Sequence, residues 1–160
     1  MSNFEKVREF NKVFGVPEHN RPQLNISKDN PDLTKLRLDL ITEECKEFVD
    51  AVKDHDFTEM VDALADILYV VYGAGASFGV DLDKAFDIVH KSNMSKVCKT
   101  EEEAKQTVEW YRENHLDTYD TPAYRKSGEY WIVYNQSSGK VLKSINYEKV
   151  DFEMDKLGVN

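Results

Sequence analysis

In this 160-residue chain the string Ile41-Thr-Glu-Glu-Cys-Lys-Glu47 sets Glu43, Glu44 and Glu47 within roughly a 100° arc of a helix, because successive residues advance about 100°. Downstream, Glu59, Asp62 and Asp66 fall within about 60° of one another by the same geometry. Two such rows turned toward each other would repel strongly, since unit charges 4 Å apart interact by about 4 kcal/mol at an effective dielectric near 20. Either several are protonated or a cation neutralises them. Hard divalent ions favour carboxylate oxygens, and Mg²⁺ keeps water and phosphate oxygens in its shell, so Mg²⁺ with a phosphorylated substrate suits this donor set best. Carboxylates at this spacing ordinarily line a solvated helix face. Here Asp62 and Asp66 sit among Ala63, Leu64, Ala65, Ile67 and Leu68, a run apolar enough to be buried nearly all round, with no Lys or Arg near in sequence to pair with them. Glu59 is explained equally well as part of a capping box with Asp56.

Helical periodicity supplies the supports. Phe4, Val7, Phe10, Val13 and Phe14 predict a first helix that Gly15 stops, and Pro17, Pro22 and Pro31 punctuate a polar loop. Asp32 or Thr34 can cap a second helix running to about Lys53, with Leu36, Leu40, Ile41, Phe48 and Val52 as its buried stripe. After the turn Asp54-His55-Asp56, a third helix is expected from about Thr58 to Phe78, capped by Gly79. The short turn predicts antiparallel packing of these two, so that their acidic faces converge. A fourth helix starts at Leu82 or Asp83, and Thr100 followed by three glutamates caps a fifth that runs through Trp110 and Tyr111. Beyond about Leu116 the pattern changes. The segments 129–135 and 140–143 flank Gln136-Ser-Ser-Gly139 and read as a β-hairpin. The expected architecture is mostly α, a bundle of four to five helices over residues 1–116, with a small hairpin extension over 117–160 packed on it. Trp110 and Trp131 are expected to be packing residues.

Composition excludes some partners. Lys and Arg number 21 against 30 Asp and Glu, a formal charge of −9, which repels a nucleic-acid polymer. Cys45 and Cys98 make no disulfide framework, the N-terminus has no apolar signal core, and the apolar run from Ile67 to Val80 is too short and too Gly-rich for a bilayer. A cytoplasmic protein without membrane contact is expected.

Glu43-Glu44-x-x-Glu47 followed by an acidic helix ending in Asp66 resembles the all-alpha nucleoside triphosphate pyrophosphohydrolases, the MazG-like and phosphoribosyl-ATP pyrophosphohydrolase-like proteins that include dimeric dUTPases and dCTP pyrophosphatases. The strings 63–73, Gly79-Val-Asp-Leu82 and Lys91-Ser-Asn-Met-Ser-Lys96 also resemble that family, and 139–143 with Asn146-Tyr147 resembles the tail of one microbial and viral branch. The resemblance implies that Glu44, Glu47, Asp62 and Asp66 hold Mg²⁺, with Mn²⁺ able to substitute. Glu43 would orient or deprotonate a water that attacks the α-phosphorus, releasing the monophosphate and pyrophosphate. Asn93 and Lys96 match substrate-contacting positions, and Tyr69, with Tyr72, is a candidate to stack on a base. A homodimer or homotetramer is implied too. One departure stands out: with Asp66 on the family aspartate, the family glutamate falls on Ala63, and Asp62 is the natural substitute, with Glu59 in reserve.

Two other readings compete. A di-iron bundle needs Glu-x-x-His on two helices, and this chain has only Asp87-x-x-His90. A non-catalytic helical interaction module explains the amphipathic helices and the charge but gives the aspartates no purpose. Within the enzyme class, phosphoribosyl-ATP hydrolysis is the less favoured alternative.

Overall fold

Ser2 opens the first helix with a capping box: its hydroxyl accepts from Glu5 N–H while the Glu5 carboxylate accepts from Ser2 N–H. The structure, a computed structural model, describes residues 1–159. In chain order it contains α1 Asn3–Phe14, α2 Ile26–Asp29, α3 Pro31–Lys53, α4 Phe57–Phe78, α5 Leu82–Met94, α6 Glu101–Asn114, strands β1 Pro122–Ser127 and β2 Tyr130–Asn135, and a 3₁₀ turn Met154–Lys156. Two compact units divide it, residues 1–86 with 152–159 and residues 87–151, the boundary falling inside α5.

In the first unit α3 and α4 pack on each other and α1 packs on α4. The α3 cap is neither Asp32 nor Thr34. Asn30 accepts from Leu33 N–H, and Pro31 takes the first helical position, where its missing N–H costs nothing. The expected apolar stripes are only partly buried. Phe4 and Val7 of α1 are enclosed, whereas Phe10, Val13 and Phe14 are exposed; on α3 Leu33, Arg37 and Ala51 are buried while Leu36 and Val52 are not. On α4 only Ala63 and the small-residue run 73–77 are buried, and Val61, Leu64 and Leu68 face outward. The expectation of an all-round buried α4 around Asp62 and Asp66 is therefore corrected for the single chain. The helix has the apolar composition, but no other element of its own unit covers those faces. The apolar stretch also belongs to a longer element than Ile67–Val80: at 22 residues α4 is long and apolar enough, by length and composition alone, to cross a membrane.

The second unit forms a core between α6 and the hairpin, with Cys98, Ala104, Val108, Tyr111, Val133 and Leu142 as its buried members. Thr100 caps α6 as its sequence predicts, accepting from Glu103 N–H. The hairpin is displaced by one connection from the expected one. β1 and β2 pair antiparallel, with Tyr124 opposite Val133 and Ser127 opposite Tyr130, around the two residues Gly128 and Glu129. Segment 140–143 adds only a single bridge, Val141 to Tyr134. Residues 122–127 escape a period-two reading because polar Arg125, Lys126 and Ser127 fill their exposed end.

Candidate functional site

Antiparallel packing of α3 on α4 fixes which residues face each other. Arg37 Nε donates to Ser77 Oγ at 2.9 Å, and its Nη1 lies 2.9 Å from where a Cβ on Gly73 would stand. Seven residues are two helical turns, so a step of seven along each helix from the Arg37–Gly73 contact arrives at Glu44 on α3 and Asp66 on α4. The charges agree with that register. The Glu44 carboxyl is held above the usual glutamate range, first by burial and then by the negative charge of Glu47, Asp66, Glu43 and Asp62. Glu59 is absent from that set; its N–H is tied to the Asp56 carboxylate that caps α4. Glu44 Oε2 is buried without a hydrogen-bond partner.

Glu43, Glu47, Asp62 and Asp66 themselves are solvent-exposed. Among the described residues no three His, Cys, Asp or Glu side chains are gathered tightly enough to hold a metal ion as they stand. Fit to a hard cation is nonetheless good on two counts. The donors are all carboxylate oxygens, which Mg²⁺ prefers, and the orphaned buried Glu44 oxygen lacks the partner that a cation supplies. The other four carboxylates are exposed, so a change of their rotamers disturbs no packing.

Tyr69 is half-exposed and packs edge-on against Phe10, ring centroids 5.7 Å apart. With Tyr72, Val7 and Lys6 it lines a cavity of about 220 Å³ between α1 and α4. Asn93 and Lys96 lie in the second unit, at the end of α5, where Lys96 Nζ donates to Asn93 Oδ1 at 2.7 Å. Cys45 and Cys98 are free thiols, the first exposed and the second buried against Thr107.

Arg37 is the residue that helical spacing alone does not mark. Only 6% exposed, it keeps Nη2 without a partner, and burial lowers its pKa from the usual guanidinium value. An arginine two turns from an acidic motif ordinarily reads as a surface cation. The available signal was its place on the same helix face as Glu44, opposite Gly73.

A curated protein of Acanthamoeba polyphaga mimivirus, described only as uncharacterized, is 30% identical to this chain over 94% of each sequence. The sequence profile of the phosphoribosyl-ATP pyrophosphohydrolase family matches residues 7–93, which take in the later part of α1, all of α3 and α4, all six acidic positions and Asn93. That span exceeds half the chain and carries every carboxylate that acts on Glu44, so the chain belongs to the phosphoribosyl-ATP pyrophosphohydrolase family, hydrolases that cut a phosphoanhydride bond.

Proposed function

We propose that the protein hydrolyses a nucleoside triphosphate between the α and β phosphates, giving the monophosphate and pyrophosphate with Mg²⁺ as cofactor. The observation that carries this reading is the Glu44 carboxyl, free at Oε2 and within charge range of carboxylates from both α3 and α4. Glu44, Glu47, Asp62 and Asp66 hold the cation, which neutralises the polyphosphate and the leaving pyrophosphate. Glu43 orients the attacking water and accepts its proton. Lys96, steered by Asn93, meets a phosphate, and Tyr69 offers a ring face to the base beside the α1–α4 cavity. Phosphoribosyl-ATP, the substrate in the matched family's name, is the second reading, since it presents the same α–β linkage. A screen of the common and deoxy triphosphates with phosphoribosyl-ATP, read as pyrophosphate release with and without Mg²⁺, tests both. Pyrophosphate from at least one triphosphate is expected; release of orthophosphate alone, or activity unaffected by EDTA, overturns the reading.

The working form is proposed to be a cytoplasmic homodimer or homotetramer. Leu36 of α3, Val61, Leu64 and Leu68 of α4, and Phe14 of α1 leave apolar side chains in the open on one unit, more than an isolated chain usually tolerates. A second copy laid on these faces accounts for the apolar length of α4 without a bilayer, and Asp62 and Asp66 on the same helix argue against lipid. Light scattering should give two or four times 18.5 kDa, falling to one with Leu68→Asp; a monomeric wild type sinks this part.

A further inference from the structure

A large cavity lies wholly within the second unit. It measures about 720 Å³, well inside the range of small-ligand sites, and is bounded by α6 and residues 143–147. Every lining residue comes after the span that matches the family profile. Its apolar wall is unusual in being exposed. Trp110 is 42% accessible, and its ring is held edge-on to Tyr111 at 5.0 Å and tilted on His115 at 4.8 Å. Ile145 is similarly open. The expectation that Trp110 is packed away is thus corrected, whereas Trp131 does join the core beside Tyr124.

The second wall is cationic. Residues 143–147 run against α6 in the opposite sense, with Tyr111 Oη donating to Lys143 O at 3.1 Å and Ile145 N–H donating to Thr107 Oγ1 at 3.3 Å. Tyr147 therefore lies toward the start of α6 and Trp110 toward its end. Lys143 Nζ stands 4.4 Å from the Tyr147 ring centre, and Ser92 Oγ lies 3.2 Å from Tyr147 Oη. The Tyr147 hydroxyl is held below the usual phenol range by that Ser92 contact and by the positive charge of Lys143, Lys96 and Lys149. Lys105 adds a further ammonium on the α6 side, 3.7 Å from the Glu101 carboxylate, where Glu102 also lines the cavity. At the other end Glu113 and Glu109, the latter paired with Arg112, present carboxylate oxygens. This unit also escapes the general repulsion of anions: it carries ten Lys and Arg against eleven Asp and Glu, a formal charge of −1 out of −9.

An aromatic platform, carboxylate acceptors beside it and ammonium groups at the opposite end match a planar heterocycle with N–H donors, joined through a sugar to a phosphate. From Glu102 to Trp110 the cavity runs along about 12 Å of helix, the scale of one nucleotide. We infer that this cavity is a metal-independent binding site for a nucleoside monophosphate, with the base on Trp110, base or sugar donors on Glu109 and Glu113, and the phosphate between Lys105 and Lys143. It rests on the preceding section only for the class of ligand, which the proposed reaction would release as product.

The test uses the full chain in EDTA, so that binding through a cation is silenced. Each of AMP, GMP, CMP and UMP is followed by equilibrium dialysis and by indole fluorescence in Trp131→Phe, where Trp110 is the sole tryptophan. At least one should saturate with quenching of Trp110. Lys143→Ala and Trp110→Leu should each weaken it tenfold or more in dialysis, while Glu47→Gln should bind as the wild type does. No saturable binding, affinity unchanged in Lys143→Ala, or inorganic phosphate bound as tightly as the nucleotide would each overturn the inference. Because no step depends on Mg²⁺ or turnover, failure of the hydrolase reading leaves this result intact, and the converse also holds.

Discussion

Glu47→Gln should lower Mg²⁺-dependent pyrophosphate release by about 10³-fold or more while leaving the helical circular dichroism and the mass of the assembly unchanged. The replacement keeps the side chain's shape, and Glu47 is exposed, so packing loses nothing. What disappears is a hard anionic donor next to the Glu44 carboxyl, whose pKa is raised first by burial and then by the negative charges around it, Glu47 foremost. Asp62→Asn should come within tenfold of Glu47→Gln, and Glu59→Gln should stay within a few-fold of wild type, because the charge of Asp62 acts on Glu44 and that of Glu59 is absent from the set that does. The reverse ranking would place the family glutamate's substitute on Glu59. Thermal melts give a readout free of turnover. Mg²⁺ at 100 times its Kd stabilises the wild type by about 2.7 kcal/mol, roughly 5–10 °C in a chain of this length, and the gain should vanish in Glu44→Gln. Equal melting shifts in both proteins would show that the cation binds elsewhere.

These outcomes bear on how far spacing alone can be trusted. The two carboxylate rows were legible because helical periodicity is a local property, and so were the caps at Thr100 and Gly79. The substitution of Asp62 for a glutamate lost at Ala63 was legible only through the family resemblance. Ala63 proves to be 3% exposed in the α3–α4 seam, with Asp62 one residue round the helix on the open side. Burial was far less legible. Leu36, Val52, Leu64 and Leu68 have the right type and period for a core, but a pattern says that a face is apolar and not what covers it. Arg37 fails in the opposite direction: its charge predicts solvent, and only the opposing small residues of α4 make room for a buried guanidinium. The true hairpin was missed for a third reason, since its first strand buries one end and leaves the other polar.

Gly79→Ala is expected to be the most destabilising single change in the α4 region, about 3–5 kcal/mol, enough to leave little folded protein at 37 °C. Two costs combine. Gly79 ends α4 in the left-handed region, φ 76° and ψ 25°, with Val80 N–H closing back on Gly75 O at 2.8 Å, and an alanine there costs about 1–2 kcal/mol. An added Cβ would also run into the carbonyl oxygen of Arg21. The loop bearing Arg21 cannot retreat cheaply, because it is tied to the end of α4 on both sides. His19 N–H donates to Ala76 O at 3.0 Å, Gln23 N–H to Phe78 O at 2.9 Å, and Ser77 Oγ to Pro17 O at 2.9 Å. Asn20 O in turn accepts from Val159 N–H at 2.9 Å. Gly15→Ala isolates the first cost. Gly15 caps α1 with nearly the same backbone, φ 68°, and a Cβ there meets nothing within 4 Å. It should lose only the conformational part, about 1–2 kcal/mol or roughly 2–8 °C, against roughly 6–20 °C for Gly79→Ala. The same clamp orients the helix that carries Asp62 and Asp66, so partial unfolding there should release the Mg²⁺-dependent stabilisation before the second unit melts. Equal melting temperatures for the two alanine variants would mean that the 16–24 loop does not press on the end of α4, and the register linking Arg37 to Ser77 would lose its anchor.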